Sequence, residues 1–444
     1  MKQQVIIIGA GASGLTAAIQ AARQGASVTV LEHTSKPGKK LLSTGNGKCN
    51  LTNLTTPEGA YRGSQSWFIK RVLENITVEQ TLEFFRDLGL VLTDRNGYVY
   101  PNSGQAASVL EALLFELDHL GVSIITDCQV QEIKKDLSLV TSKGKKQADA
   151  LILAAGSMAA PKTGSDGSGY ELAKALGHHI IKPLPALVQL KCREKWYKQA
   201  AGVRTEASVT LKIDGKTEAA DRGELQFTDY GISGIPVFQV SRFAARGLDA
   251  GHKVTAELDL LPSMDFNSAR QLLSERAKRL DYRPAEEFLN GVLNHKLARI
   301  LLREAGIGSA GIVKDIAPAQ IKKLAAVLKG LKTEILAANS FDQAQVCSGG
   351  IDTREVDPDT MESKLISGLY LAGEILDADG ICGGYNLQWA WSCGILAGTC
   401  AGRGTSCGHP VTPDKGKRDL SGKHGQKRRM PFEHTVMQKK QGQE

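Results

Sequence analysis

The chain has 444 residues, 42% of them hydrophobic and 23% charged, which is ordinary for a folded protein of about three domains. That composition excludes a disordered chain, a fibre and a disulfide scaffold, and the longest apolar runs, such as 5–8 and 151–155, fall far short of the roughly 20 residues of a membrane helix. The net charge of +8 is local: ten basic and four acidic residues in 403–444 give that tail +6, leaving a nearly neutral body.

Gln4–Ile8 is a β-branched run of the kind a buried parallel strand uses. The run Gly9-Ala10-Gly11-Ala12-Ser13-Gly14 follows, then an alanine-rich helix, then a second β run, Ser27–Leu31, ending at Glu32. Gly9 permits a tight turn, Gly11 lets the backbone approach a pyrophosphate, and Gly14 lets the helix pack on the strand. The helix N-terminus presents free N–H groups to phosphate, and Glu32 is placed to accept hydrogen bonds from an adenosine ribose. This is a dinucleotide site, and an acid at Glu32 disfavours NADP within it. The N-terminus therefore reads as strand, turn and helix and not as a signal peptide.

Segment 36–53 reads as a long basic loop rich in glycine, in which Lys39 and Lys40 offset pyrophosphate charge. Such a loop suits FAD better than NAD, because FAD extends further. Residues 81–88 and 108–120 are predicted helices, Ser108 capping the second, and 122–134 a strand. Residues 148–156 form a buried strand ending in Gly156. Alternating β runs follow, such as 207–213 and 253–260, and then helical, charged stretches such as 269–280 and 318–329. A second glycine match, 306–311, follows a helix and precedes no acid-terminated strand, so it is a turn between helices. Near the C-terminus a strand over 368–374 ends in Gly373-Glu374, and a glycine turn leads into a helix over 389–401, repeating the N-terminal layout.

The eight cysteines show no C-x-x-C pair and no metal-ligand spacing, and Cys393, Cys400 and Cys407 read as small buried hydrophobes. Reduced thiols imply the cytoplasm. His178-His179 has no further ligands nearby in sequence and reads as structural, so no metal site is expected.

Four motifs in order carry a resemblance: Gly9–Gly14 with Glu32, the run Thr44-Gly45-Asn46-Gly47-Lys48-Cys49-Asn50, the run Leu225 to Gly234, and the run Gly383 to Ala390. Over about residues 2–401 the chain resembles the BaiN/YhiN-type flavoproteins, a family that includes aminoacetone oxidase and a bile-acid reductase. The resemblance implies an α/β fold: a Rossmann-like FAD-binding domain with a parallel sheet, interrupted by a β-barrel-like insert and a small helical domain. The corresponding boundaries are 1–185 and 343–402 for the FAD-binding domain, 186–262 for the β-rich substrate domain, 263–342 for the helical domain and 403–444 for the basic tail. The substrate pocket is expected between the inserts and the FAD sheet.

The expected cofactor contacts are Gly9, Gly11, Ser13, Gly14, Glu32, Lys39, Lys40, Gly47, Val130, Gly156, Gly373, Glu374, Gly384, Asn386 and Leu387. Val130 stands where the resembling proteins meet adenine through the backbone. Redox chemistry then comes from FAD, with NAD(P)H as the candidate transient reductant. Family chemistry offers reduction of a C=C bond conjugated to a ketone in 3-oxo-Δ4/Δ6 bile-acid intermediates, or oxidation of an aminoketone by dioxygen. For the reduction, Tyr385 is the candidate proton donor, and Lys48 or Asn50 would stabilise charge beside the flavin. The partner is a small molecule. A nucleic-acid role resting on the basic tail is disfavoured, because Phe432 is the only aromatic residue there. No membrane contact is expected, and the residues carry no signal for oligomeric state.

Overall fold

The computed structural model describes Lys2 to Gly404; the basic tail and Cys407 lie outside the described residues. Gln4–Ile8 is the centre of a five-stranded sheet, ordered Leu369–Leu371, Ala150–Leu153, Gln4–Ile8, Ser27–Leu31, Ser123–Ile125. All four pairings are parallel, with Ile8 beside both Leu31 and Leu153. Ala150–Leu153 is buried at every residue, the pattern of a strand covered on both faces. The covering helices include Ala12–Arg23 and Tyr385–Arg403, which pack backbone to backbone. Gly394, Gly398 and Gly402 make this possible: a Cβ on Gly394 would stand 2.4 Å from the Ser13 carbonyl, and one on Gly398 2.2 Å from that of Ala17.

The chain leaves this layer through Ile180–Ala186 and returns through Val346–Ile351, and these two strands pair antiparallel, Pro185 opposite Cys347. Between them lies a closed six-stranded barrel, ordered Leu190–Cys192, Gly231–Ser233, Lys216–Phe227, Arg204–Ile213, Val254–Asp259, Leu331–Ala338. Its strands alternate as a half-buried strand must: Val254, Ala256 and Leu258 point into the core while their neighbours stay partly exposed. The barrel strand Leu331–Ala338 corrects the expected helical domain over 263–342. Helices Phe266–Arg279, His295–Glu304 and Pro318–Lys329 are an excursion between the fifth and sixth barrel strands. Leu273, Leu301 and Leu324 share one core with Val209 and Leu258, so the helices do not form a core of their own.

Several local expectations shift. The strand expected over 122–134 is two strands, Ser123–Ile125 in the parallel sheet and Val130–Ile133 in a separate antiparallel one. The helix expected from 108 is Ala106–His119, with Gln105 at its N-cap, so Ser108 lies inside it and hydrogen-bonds Ser103 instead. His178 is buried between Glu355 and Ser363, at 2.9 and 3.0 Å, a structural position. Among the described residues no group of His, Cys, Asp and Glu could hold a metal, and no helix is long and apolar enough to cross a membrane.

Candidate active site

The N-terminal turn has the close packing its glycines require. A Cβ on Gly9 would lie 2.4 Å from the Ala154 carbonyl oxygen, and one on Gly14 only 1.9 Å from that of Gly9. Gly11 differs: nothing lies within 4 Å of its Cβ position, because that side opens into a cleft. Helix Ala12–Arg23 starts there with no capping side chain, so its first N–H groups are left for a ligand. Glu32 is buried at the end of Ser27–Leu31, where one carboxylate oxygen accepts from the Ala10 N–H at 2.9 Å and the other from Thr34 N–H at 2.8 Å. Glu32 thereby braces the glycine turn.

Segment 36–53 is more ordered than a loop. Lys39–Ser43 is a short helix, and Thr44–Gly47 a single turn in which Gly45 and Asn46 take left-handed backbone angles. Lys40 is in the cleft lining with its ammonium 2.5 Å from Glu374, which Ser157 also contacts at 3.3 Å. Lys39 lines the cleft, whereas Gly47 does not, and Lys48 is exposed outside the wall. Asn50 is in the wall and buried. With its amide oriented to satisfy both ends, its nitrogen donates to the Val99 and Thr52 carbonyls at 3.1 and 3.0 Å, and its oxygen accepts from the Gly384 N–H at 3.3 Å. Its role on this geometry is to fix the second glycine turn.

The C-terminal helix is longer than expected, Tyr385–Arg403, and anchors both motifs. Trp389 donates to the Gly373 carbonyl at 3.1 Å and Trp391 to that of Leu51 at 3.0 Å. Asn386 clamps the preceding loop, accepting from the Gly380 N–H at 2.8 Å and donating to the Gly380 carbonyl at 2.9 Å. Gly384, Asn386 and Leu387 line the cleft, while Gly373 sits behind it against Ser13. Tyr385 is not in the wall: its hydroxyl donates to the Thr55 carbonyl at 2.9 Å and its ring meets Tyr61 edge-on. Of the three expected catalytic residues, only Asn50 reaches the cleft.

The cleft holds about 630 Å³, within the range of cofactor sites, and Ser13, Glu32, Val130, Gly156, Glu374 and Gly384 all line it. Sequence reasoning missed Tyr100, Leu187, Ile235, Phe238 and Val346, which also line it. The local signal for Tyr100 is alternation in Tyr98–Pro101; the others carry none. A cleft with uncapped helix N–H groups at Gly11, an acid at Glu32 and a second helix N-terminus at Gly384 fits FAD. Gly11, Ser13 and Glu32 would hold its nucleotide half, and Gly384 and Leu387 would face its flavin half.

Comparison with known proteins gives the family. The model of the HI0933-like protein Rossmann domain matches residues 3–400. The chain is 46% identical over 400 residues to the 3-dehydro-bile acid delta(4,6)-reductase of Clostridium scindens, covering 89% of this chain and 98% of that protein. It is 30% identical over 397 residues to the ribosomal RNA dihydrouridine synthase of Haemophilus influenzae, covering 87% and 95%. The Escherichia coli protein of that name is 27% identical over 396 residues, with the same coverage. The chain belongs to the HI0933-like Rossmann family and is an FAD-dependent oxidoreductase.

Proposed function

We propose that this enzyme reduces a C=C bond conjugated to a ketone in 3-oxo-Δ4 or 3-oxo-Δ4,6 bile-acid skeletons. The observation that carries the reading is the 46% identity to the bile-acid reductase, which extends over 98% of that relative. The cleft supports it, because Leu187, Val346, Ile235 and Phe238, from the crossing strands and the inserted domain, add apolar side chains to its lining. When bound, FAD supplies the hydride that adds to the β-carbon. The chain must then protonate the α-carbon and hold the charge developing on the ketone oxygen. Tyr100 is our candidate for that proton, since it is the one tyrosine lining the cleft among the described residues. Burial pushes its phenol above the ordinary value, which keeps it protonated. NAD(P)H is the proposed transient reductant. No disulfide joins the described cysteines, which fits the cytoplasm.

The dihydrouridine synthases favour a second reading of the same chemistry, because the C5=C6 bond of uracil is also conjugated to a carbonyl. Their identity to this chain is lower. Incubation with NAD(P)H and either a 3-oxo-Δ4 bile acid or unmodified ribosomal RNA separates the readings. Gain of two hydrogens by the bile acid is the expected result, and their gain by RNA uridine alone would replace it.

A further inference from the structure

One stretch of the cleft belongs to neither main core. Ala186, Leu187 and Val346 form a separate buried cluster, with Phe238 and Cys382 packed against it and less buried. Leu187, Val346, Phe238 and Cys382 all face the cleft, and Ile235 lines it beside them with 59% of its surface exposed. These side chains converge from four places: the end of the outgoing crossing strand, the start of the returning one, helix Ile235–Asp249 and the C-terminal glycine loop.

Their placement is imposed by the backbone. Leu187 has φ +50°, a left-handed conformation that a residue with a Cβ keeps only when its surroundings enforce it. Gly234, at φ +104°, fixes the start of the helix, since a Cβ there would stand 2.2 Å from the Glu224 carbonyl oxygen. Pro236 follows in the first turn, so Ile235 is held at the rim.

The chemistry of this wall selects its occupant. Of the five cleft-facing side chains only Cys382 carries a polar group, a thiol that burial keeps protonated by raising it to about 12, while Asp342, Gln343 and Gln345 line the cleft in the segment that leads into Val346. Contact with those five side chains rewards an apolar face, and a nucleobase edge pressed on them would lose the water partners of its N–H and C=O groups. We infer that this seam between the FAD-binding layer and the barrel seats the fused-ring hydrocarbon face of the substrate, with Phe238 and Ile235 setting its specificity for a multi-ring ketone. The inference rests on the enone-reductase reading and deepens it.

The test uses holoenzyme and the variants Phe238→Ala and Ile235→Glu, the second at a rim position whose exposure lets it fold. Bound flavin is reduced with dithionite and mixed anaerobically with a 3-oxo-Δ4 bile acid. We expect the half-saturating steroid concentration to rise about tenfold or more in each variant, with flavin content and limiting rate near those of the unsubstituted enzyme. Unchanged saturation in both variants overturns the inference and leaves the reductase reading standing. Loss of flavin from both soluble variants also overturns it, by assigning the seam to the cofactor. An unsubstituted enzyme that the steroid fails to reoxidise removes the reading itself, and the inference with it.

Discussion

The Lys40 ammonium lies 2.5 Å from the Glu374 carboxylate, tying the short helix after the first glycine turn to the segment before the last one, 334 residues away in the chain. Both side chains are about three-quarters or more buried, so neither charge is well solvated without the other. Lys40→Met leaves an uncompensated carboxylate in the cofactor cleft. FAD affinity should fall by about tenfold or more, measured by fluorescence titration of apoprotein, and Lys40→Met combined with Glu374→Gln should recover part of the loss.

Gly14 and Gly11 should respond in opposite ways to the same added methyl group. Gly14→Ala drives a Cβ to 1.9 Å from a carbonyl oxygen and should prevent soluble expression or cost more than about 3 kcal/mol. Gly11→Ala meets no protein atom within 4 Å, so the apoprotein should keep its melting temperature while its flavin content drops.

Glu32→Ala removes the acceptor for two backbone N–H groups as well as the proposed ribose contact. The cost from the orphaned donors is about 1–3 kcal/mol each where they stay buried. Melting temperature should therefore fall even in apoprotein, and flavin retention should fall with it. A variant that keeps full flavin would sink the ribose assignment.

Asp379 is pushed up to about 6, chiefly by burial, against the opposing pull of Arg242, with which it pairs at 2.9 Å. The folded state therefore binds a proton that the unfolded chain has released, and stability falls as pH rises from about 4 through about 6. Asp379→Asn removes this term. The stability of the unsubstituted protein, minus that of the variant, should decrease over that window in denaturant titrations and level off above it.

Tyr100→Phe should lower the limiting rate of substrate reduction by about 10²–10⁴-fold with flavin content unchanged. Tyr385→Phe should change the rate by less than about threefold, because that hydroxyl is committed to Thr55 outside the cleft. The reverse ranking would return the donor role to Tyr385.

What could be read in the residues was local. The spacing of Gly9, Gly11, Gly14 and Glu32 encodes one supersecondary unit, and each member stands where that unit needs it. Pro318–Lys329 likewise begins and ends where its proline and Gly330 place it. Leu331–Ala338 is legible too, as Leu331, Thr333 and Ile335 alternate inward, but it sits directly behind a helix whose charged, helical pattern masks it. The seam was not legible. Leu187, Phe238, Val346 and Cys382 have no common period, because strand crossing and barrel closure bring them together. Tyr385 misled for a related reason: it lies in a cofactor motif, yet the left-handed turn at Gly384 starts a helix that points its phenol away from the cleft.

The central claim is that electrons pass from reduced FAD to an enone on a steroid skeleton. Its most direct test is anaerobic reduction of the purified yellow protein by NADH or NADPH, followed by rapid mixing with a 3-oxo-Δ4 bile acid or with aerated buffer. The account predicts fast return of flavin absorbance with the steroid and slow return with air. Fast reoxidation by air, with the steroid inert and aminoacetone consumed, would contradict it.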